Sequence, residues 1–164
     1  MSAFWVSEEA IFYPVQGGFY LVNARRASER VLYEALRSGR ARPLLLAPRA
    51  PWPRGLEERL PLLKKLGITL VRSDGWATPK TWPDVPWSPR AHQLRKALSQ
   101  IAELPPLALE DALKVLSRSF PYPPDAEPEP LINALLACDE PHEGPFGGLT
   151  MAFYSWEELF KGIS

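Results

Sequence analysis

The chain has 164 residues, 46% of them hydrophobic and 23% charged, with 19 acidic against 19 basic side chains and a formal net charge of zero. That balance belongs to a folded chain of about one domain and excludes a disordered one. It argues against nucleic acid as the main partner, because phosphate contacts need a basic surplus or a basic face, and it offers little electrostatic resistance to self-association.

In chain order, Ala3-Phe4-Trp5-Val6 reads as a short apolar strand, and Ile11-Phe12-Tyr13-Pro14-Val15 as a second, with Pro14 marking an edge or a bulge. Gln16-Gly17-Gly18 is a tight turn, and Phe19-Tyr20-Leu21-Val22 is the returning strand. Asn23 has the chemistry of a helix cap. The helix that follows runs to about Ser38, with Ala24, Ala27, Val31 and Ala35 on one stripe and Gly39 as its stop.

Pro43-Leu44-Leu45-Leu46-Ala47-Pro48 reads as a core strand. Leu56, Leu60, Leu63 and Leu66 have helical spacing, with Pro61 expected to kink or delay the helix. Ile68 to Val71 is a strand and Asp74-Gly75 a hairpin turn. The proline- and tryptophan-rich stretch 78–89 lacks periodicity and reads as a long loop. Helices are expected over 91–104 and 107–120, a linker over 121–130, and a short buried helix over 131–138. Leu149 to Tyr154 is a last strand, and Ser155-Trp156-Glu157-Glu158 is a capping box that opens a last helix with Leu159 and Phe160 inward. Strand-rich ends around a helical middle predict an α+β fold with two lobes. One lobe is built from 1–41 and 137–164; the other, from 42–136, is mainly helical with a short strand pair.

Little in the chain points to catalysis. Gly17-Gly18 and Gly147-Gly148 lack the Lys and Ser/Thr of a phosphate loop, and no serine near His92 or His142 sits in a nucleophile elbow. Asp139, Glu140, His142 and Glu143 follow Cys138, but this is at most half a zinc site and reads as a polar loop. No metal and no cofactor are expected. The single cysteine excludes an internal disulfide and points to a reducing compartment. No leader precedes the first strand and no apolar stretch reaches membrane-spanning length, so a cytoplasmic domain without membrane contact is expected.

The run from Phe19 to Glu34 (Phe-Tyr-Leu-Val-Asn-Ala-Arg-Arg-Ala-Ser-Glu-Arg-Val-Leu-Tyr-Glu) resembles the strand-to-helix junction of the C-terminal domain of MutL, the DNA mismatch repair protein. That family shows Gly-Leu-Tyr-Leu-Ile leading into Asp-Gln-His-Ala-Ala-His-Glu-Arg. Pro43 to Pro48, Leu66-Gly67-Ile68 and Gly147-Gly148-Leu149 resemble its later landmarks in order. The resemblance implies a dimerising domain that holds two ATPase arms together in a larger protein.

Departures from the family bear on activity. Its nuclease members place Asp and His where this chain has Asn23 and Arg25, an amide and a permanent cation. Ala137-Cys138-Asp139 lacks the second motif's histidine, and Gly144-Pro145-Phe146-Gly147-Gly148-Leu149 lacks the third motif's ligands. The expectation is therefore a homodimerisation module without catalytic residues, with Leu149, Met151, Phe153, Trp156 and Phe160 at the interface. Such an interface would bury at least about 1,600 Å². The alternative is a residual metal-dependent DNA-nicking site using Glu29, Glu34, Asp139 and His142.

Partners implied by the resemblance are a second copy, the mismatch-recognition protein MutS, a helicase and the replication clamp. The family's clamp-docking peptide begins with Gln, and Arg42 stands at that position. DNA contact through Arg25, Arg26, Arg30, Arg37, Arg40 and Arg42 is expected to be weak and salt-sensitive.

Overall fold

In the computed structural model, which describes residues 2–162, helices and antiparallel sheets combine in an α+β fold. The elements begin with β1 (Phe4–Trp5), β2 (Ala10–Val15), β3 (Gly18–Asn23), α1 (Ala24–Ser38), β4 (Ala41–Pro43), β5 (Ala50–Pro51), a 3₁₀ turn (Leu56–Arg59) and α2 (Leu60–Lys65). They continue with β6 (Thr69–Ser73), β7 (Trp76–Pro83), α3 (Ala91–Glu103), α4 (Leu109–Ser119), α5 (Glu129–Leu136), β8 (Met151–Ser155) and α6 (Trp156–Lys161). Two compact units result, one from 1–31 with 121–164 and the other from 32–120. The sequence placed those divisions at 41/42 and 136/137. Among the described residues no helix is long and apolar enough to cross a membrane.

The first unit is organised by an antiparallel sheet of order β1-β2-β3-β8. Gln16 and Gly17 form the turn between β2 and β3, and Gly17 supplies the left-handed backbone at φ 84° that such turns require. Ile11, Val22 and Met151 stand in one row across three strands and are all buried, as are Ala24, Ala27 and Val31 of α1. Asn23 ends β3 and caps α1, its Oδ1 accepting from the Arg26 N–H at 3.0 Å. This satisfies one of the amides that a helix start leaves open.

Residues 121–128 belong to this packing and do not form the expected linker. Tyr122 is buried; its N–H donates to the Ser28 hydroxyl at 2.9 Å and its own hydroxyl donates to the Glu127 carbonyl. Trp5 stacks on Tyr122 at 6.4 Å and donates from Nε1 to the Ala126 carbonyl at 2.8 Å. Prolines here shape an ordered segment, since the Tyr122 N–H and the Ala126 and Glu127 carbonyls all find partners within the unit. It leads into α5, which buries Leu131, Ile132 and Leu135.

The second unit is built on β7, whose residues 78–83 lie in the stretch 78–89 expected to be a loop. β6 lies along one side of β7, and β4 and β5 follow one another along its other side. Pro79 fits a paired strand because it stands at the break between β4 and β5 and beside an irregularity in the β6 register. Asp74 and Gly75 form the expected hairpin turn, both with positive φ. Pro61 delays α2: a 3₁₀ turn precedes it and the proline occupies its first turn.

Helices α3 and α4 follow the predicted spacing, burying Leu94, Leu98 and Ile101, and Leu113 and Leu116. Trp82 meets Phe120 edge-on at 4.8 Å, and Trp87 Nε1 donates to the Phe120 carbonyl at 2.8 Å. This inserted unit therefore carries a sheet of its own beside its helices.

Candidate functional site

The outer face of the first sheet is lined by aromatic rings. Residues directly opposite one another on antiparallel strands share a face, as do residues two apart along a strand. The register puts Phe4, Phe12, Phe19 and Tyr154, one from each strand, on the face turned away from Ile11 and Val22. Their rings stack in sequence at 5.0, 4.7 and 5.4 Å. Leu21 and Ala152 fill the row beside them. Trp156, from the first turn of α6, lies over Phe19 at 5.1 Å and Phe12 at 6.3 Å, and stacks with Phe160 at 6.4 Å.

This face is only partly covered. Phe19 is buried, but Phe4, Leu21, Tyr154, Leu159 and Phe160 are exposed, Phe160 to 61%. Helix α6 buries none of its own side chains, so Leu159 and Phe160 do not point inward as the sequence suggested. Ser155 caps α6, accepting from the Glu158 N–H at 3.0 Å. An apolar groove of about 450 Å³ runs between α6 and the strand end, lined by Tyr154, Ser155, Glu158, Leu159 and Gly162.

Of the residues expected at an interface, Leu149, Phe153 and Phe160 are exposed and Trp156 is half-buried. Met151 is not available, since it is buried in one row with Ile11 and Val22. Phe153 is on the same side of β8 as Met151 but near the strand's other end, where it is 47% exposed and packs edge-on against Tyr20 at 5.3 Å.

The start of α1 and the segment 138–150 come together in the first unit, but not as a metal centre. Arg25 is exposed. Arg26 reaches the Leu149 carbonyl at 3.3 Å, its guanidinium lying against Gly148 in a tight turn. Arg30 is buried; its Nε donates to the Glu143 carbonyl at 2.8 Å and its Nη2 lies 3.7 Å from the Glu140 carboxylate. Buried and fixed, that guanidinium holds the acidic loop to the helix and opposes a divalent cation there.

Glu29 is buried, Asp139 and His142 are exposed on the loop, and Glu34 belongs to the second unit. Among the described residues no three His, Cys, Asp or Glu side chains are grouped so as to hold a metal ion, so these four do not form such a cluster. Phe146 is half-buried in the 144–148 turn. Of the arginines considered for DNA, Arg37 pairs with Glu110 at 3.2 Å and Arg40 donates to Ser38 at 3.0 Å. Arg42 donates to the Val85 and Trp87 carbonyls at 3.2 and 3.0 Å.

The second unit has an exposed apolar feature of a different kind. Of the core strand expected over Pro43 to Pro48, Pro43 ends β4 and residues 44–48 are not strand. Only Leu44 is buried, while Leu45 is 92% and Leu46 96% exposed. Strand pairing stops at Pro43, after which the Leu44 N–H still reaches the Lys80 carbonyl at 3.0 Å. Beyond it two leucines project between Pro43 and Pro48. No sequence signal separates such a projecting run from a buried strand, because composition is the same in both.

No protein-family model matches this chain, and comparison with curated proteins finds no match.

Proposed function

We propose that this chain is a homodimerisation module of the MutL type, working in the cytoplasm, that holds two ATPase arms together and performs no catalysis itself. The observation that carries the reading is the set of exposed apolar side chains on the first unit: Phe4, Leu21, Phe153, Tyr154 and Phe160, set on regular strands and an adjoining helix. Scattered exposed hydrophobic residues are ordinary, whereas apolar side chains on every strand of a sheet, continued to its edge strand, mark a unit that gains from a partner. A formal charge of zero leaves a second copy free to join it. Absence of catalysis is supported by Arg30, whose buried guanidinium binds the Glu143 carbonyl and lies 3.7 Å from the Glu140 carboxylate, a fixed positive charge on the acidic loop. Sedimentation equilibrium at tens of micromolar tests the reading: a dimer is expected, and a monomer would overturn it. Nicking of supercoiled plasmid with manganese, lost in Glu29→Ala, would restore the endonuclease alternative.

A second role, docking to the replication clamp, is favoured by the exposure of Leu45 and Leu46. A short apolar loop held between prolines is preorganised to enter a groove. Arg42, where the docking peptide of the family has Gln, is turned to the Val85 and Trp87 carbonyls and leaves the leucines unobstructed. MutS and a helicase remain partners by resemblance. Binding to a purified clamp ring, abolished by Leu45→Ser with Leu46→Ser, is the expected result; failure of the unaltered chain to bind would dismiss this role.

A further inference from the structure

We propose that two copies join edge to edge, β8 pairing antiparallel with β8 of the second copy, so that one sheet runs through both. This rests on the self-association proposed above and specifies how it occurs.

The two edges of the first sheet are finished differently. β1 is two residues long and leads into Ser7, Glu8 and Glu9, a short acidic border of the kind that discourages pairing. β8 has five residues, Met-Ala-Phe-Tyr-Ser, with no charge and no proline, in unbroken register with β3. Among the described residues β3 is its single sheet neighbour.

The direction of its backbone groups follows from the hairpin. In a two-residue turn the closing pair, Val15 and Gly18, exchange hydrogen bonds, so Gly18, Tyr20 and Val22 bond to β2 and Phe19, Leu21 and Asn23 bond to β8. The bonds at both ends of β8 agree: Asn23 N–H donates to Thr150 at 2.7 Å and Trp156 N–H to Gly17 at 3.1 Å. Ala152 and Tyr154 therefore bond inward, and the amides of Met151, Phe153 and Ser155 face out along the edge.

A second copy fits that edge without conflict. A twofold axis at Phe153 pairs all five residues of each strand and brings no like charges together. It sets the small Ala152 opposite Tyr154 of the second copy, and Phe153 beside its own counterpart. The Tyr13, Tyr20 and Phe153 row, with centroids at 6.5 and 5.3 Å, then continues into the second copy.

Phe153→Pro tests the pairing, because it removes an outward N–H that the single chain does not use. Pro14 already occupies a comparable place in β2, its nitrogen directed past the end of β1. The expected result is a folded chain, by circular dichroism, whose dimer is weakened about a hundredfold or more. Phe153→Ala, which keeps the N–H, should weaken it less. If the unaltered chain is a monomer, the proposed self-association itself fails. If it is a dimer and folded Phe153→Pro remains as tight, edge pairing is overturned.

Should Phe153→Pro unfold, Phe153→Cys in a Cys138→Ser chain decides. Facing residues of a hydrogen-bonded pair are about 5.5 Å apart at Cα, within disulfide reach. Mild oxidation should link the copies covalently. A dimer that resists linkage at 153 yet links through Leu21→Cys on the outer face would overturn the inference.

Discussion

The first sheet exposes Phe4, Leu21, Phe153 and Tyr154 on paired strands. The second buries Ala77, Pro79, Trp82 and Pro83 of its central strand, exposes Val71 on an outer one, and has the exposed Leu45 and Leu46 on the loop between β4 and β5. Both sheets are antiparallel and similar in size, so architecture does not explain the difference. β7 has neighbours on both sides, whereas β8 ends its sheet. A flat aromatic surface with an open edge suits a partner of the same shape, while a projecting loop suits a groove.

The contrast breaks most readily in the second unit's core. Phe120 is buried, meets Trp82 and gives its carbonyl to Trp87, so Phe120→Ala should cost about 3–5 kcal/mol through lost burial and the cavity left behind. Urea denaturation reads that loss. Cooperative unfolding of both units together would show that they depend on one another, and a second, unshifted transition would show that they do not.

In the first unit the vulnerable position is Gly18. A Cβ there would overlap the Tyr154 carbonyl oxygen and come within 2.7 Å of the Phe153 ring. Backbone does not yield as a flexible side chain does, so Gly18→Ala should destabilise by about 1–3 kcal/mol and loosen β8 from β3. Hydrogen exchange of the Ala152 and Tyr154 amides would quicken before that of β7. Unchanged exchange there would mean that β8 is not held as the register indicates.

Much of this was legible from residue order. Gly17 between two apolar runs specified the first hairpin, Asn23 specified the start of α1, and the leucine spacing of α3 and α4 specified their buried faces. What escaped was decided by tertiary context. Pro79 and Pro83 disguised β7, since nothing local reveals that its neighbours leave a gap there. The prolines of 121–128 suggested a linker, yet Tyr122 and Trp5 bind that segment into the first unit. Leu45 and Leu46 look like core because hydrophobicity does not report exposure. At the candidate interface, alternation along β8 assigned its two faces but could not show that Met151 is covered while Phe153 is not.

Tyr122 sharpens the comparison on a smaller scale. Burial, and then the nearby Glu127 and Glu129 carboxylates, push its phenol above the ordinary tyrosine range. The neutral phenol is the favoured form in the folded chain. Its contribution is complete below the unfolded value of about 10 and is lost as pH rises through the folded one. Tyr122→Phe should cost about 1 kcal/mol at neutral pH through the lost bond to Glu127, and should lessen the alkaline fall in stability. An identical alkaline profile in the variant would assign that fall to other groups.

The smallest expected change in stability is at Leu45 and Leu46. Exposed almost fully, they have little burial to lose, so Leu45→Ser with Leu46→Ser should leave the unfolding midpoint of the second unit within about 0.5 kcal/mol of the original. Leu44, one residue earlier and buried, is the internal control, and Leu44→Ser should be clearly destabilising through lost apolar burial and a buried hydroxyl. If the exposed pair proved as costly as Leu44, the loop would be packed against something in solution. The contrast between a surface carried by a sheet and one carried by a loop would then no longer separate the two units.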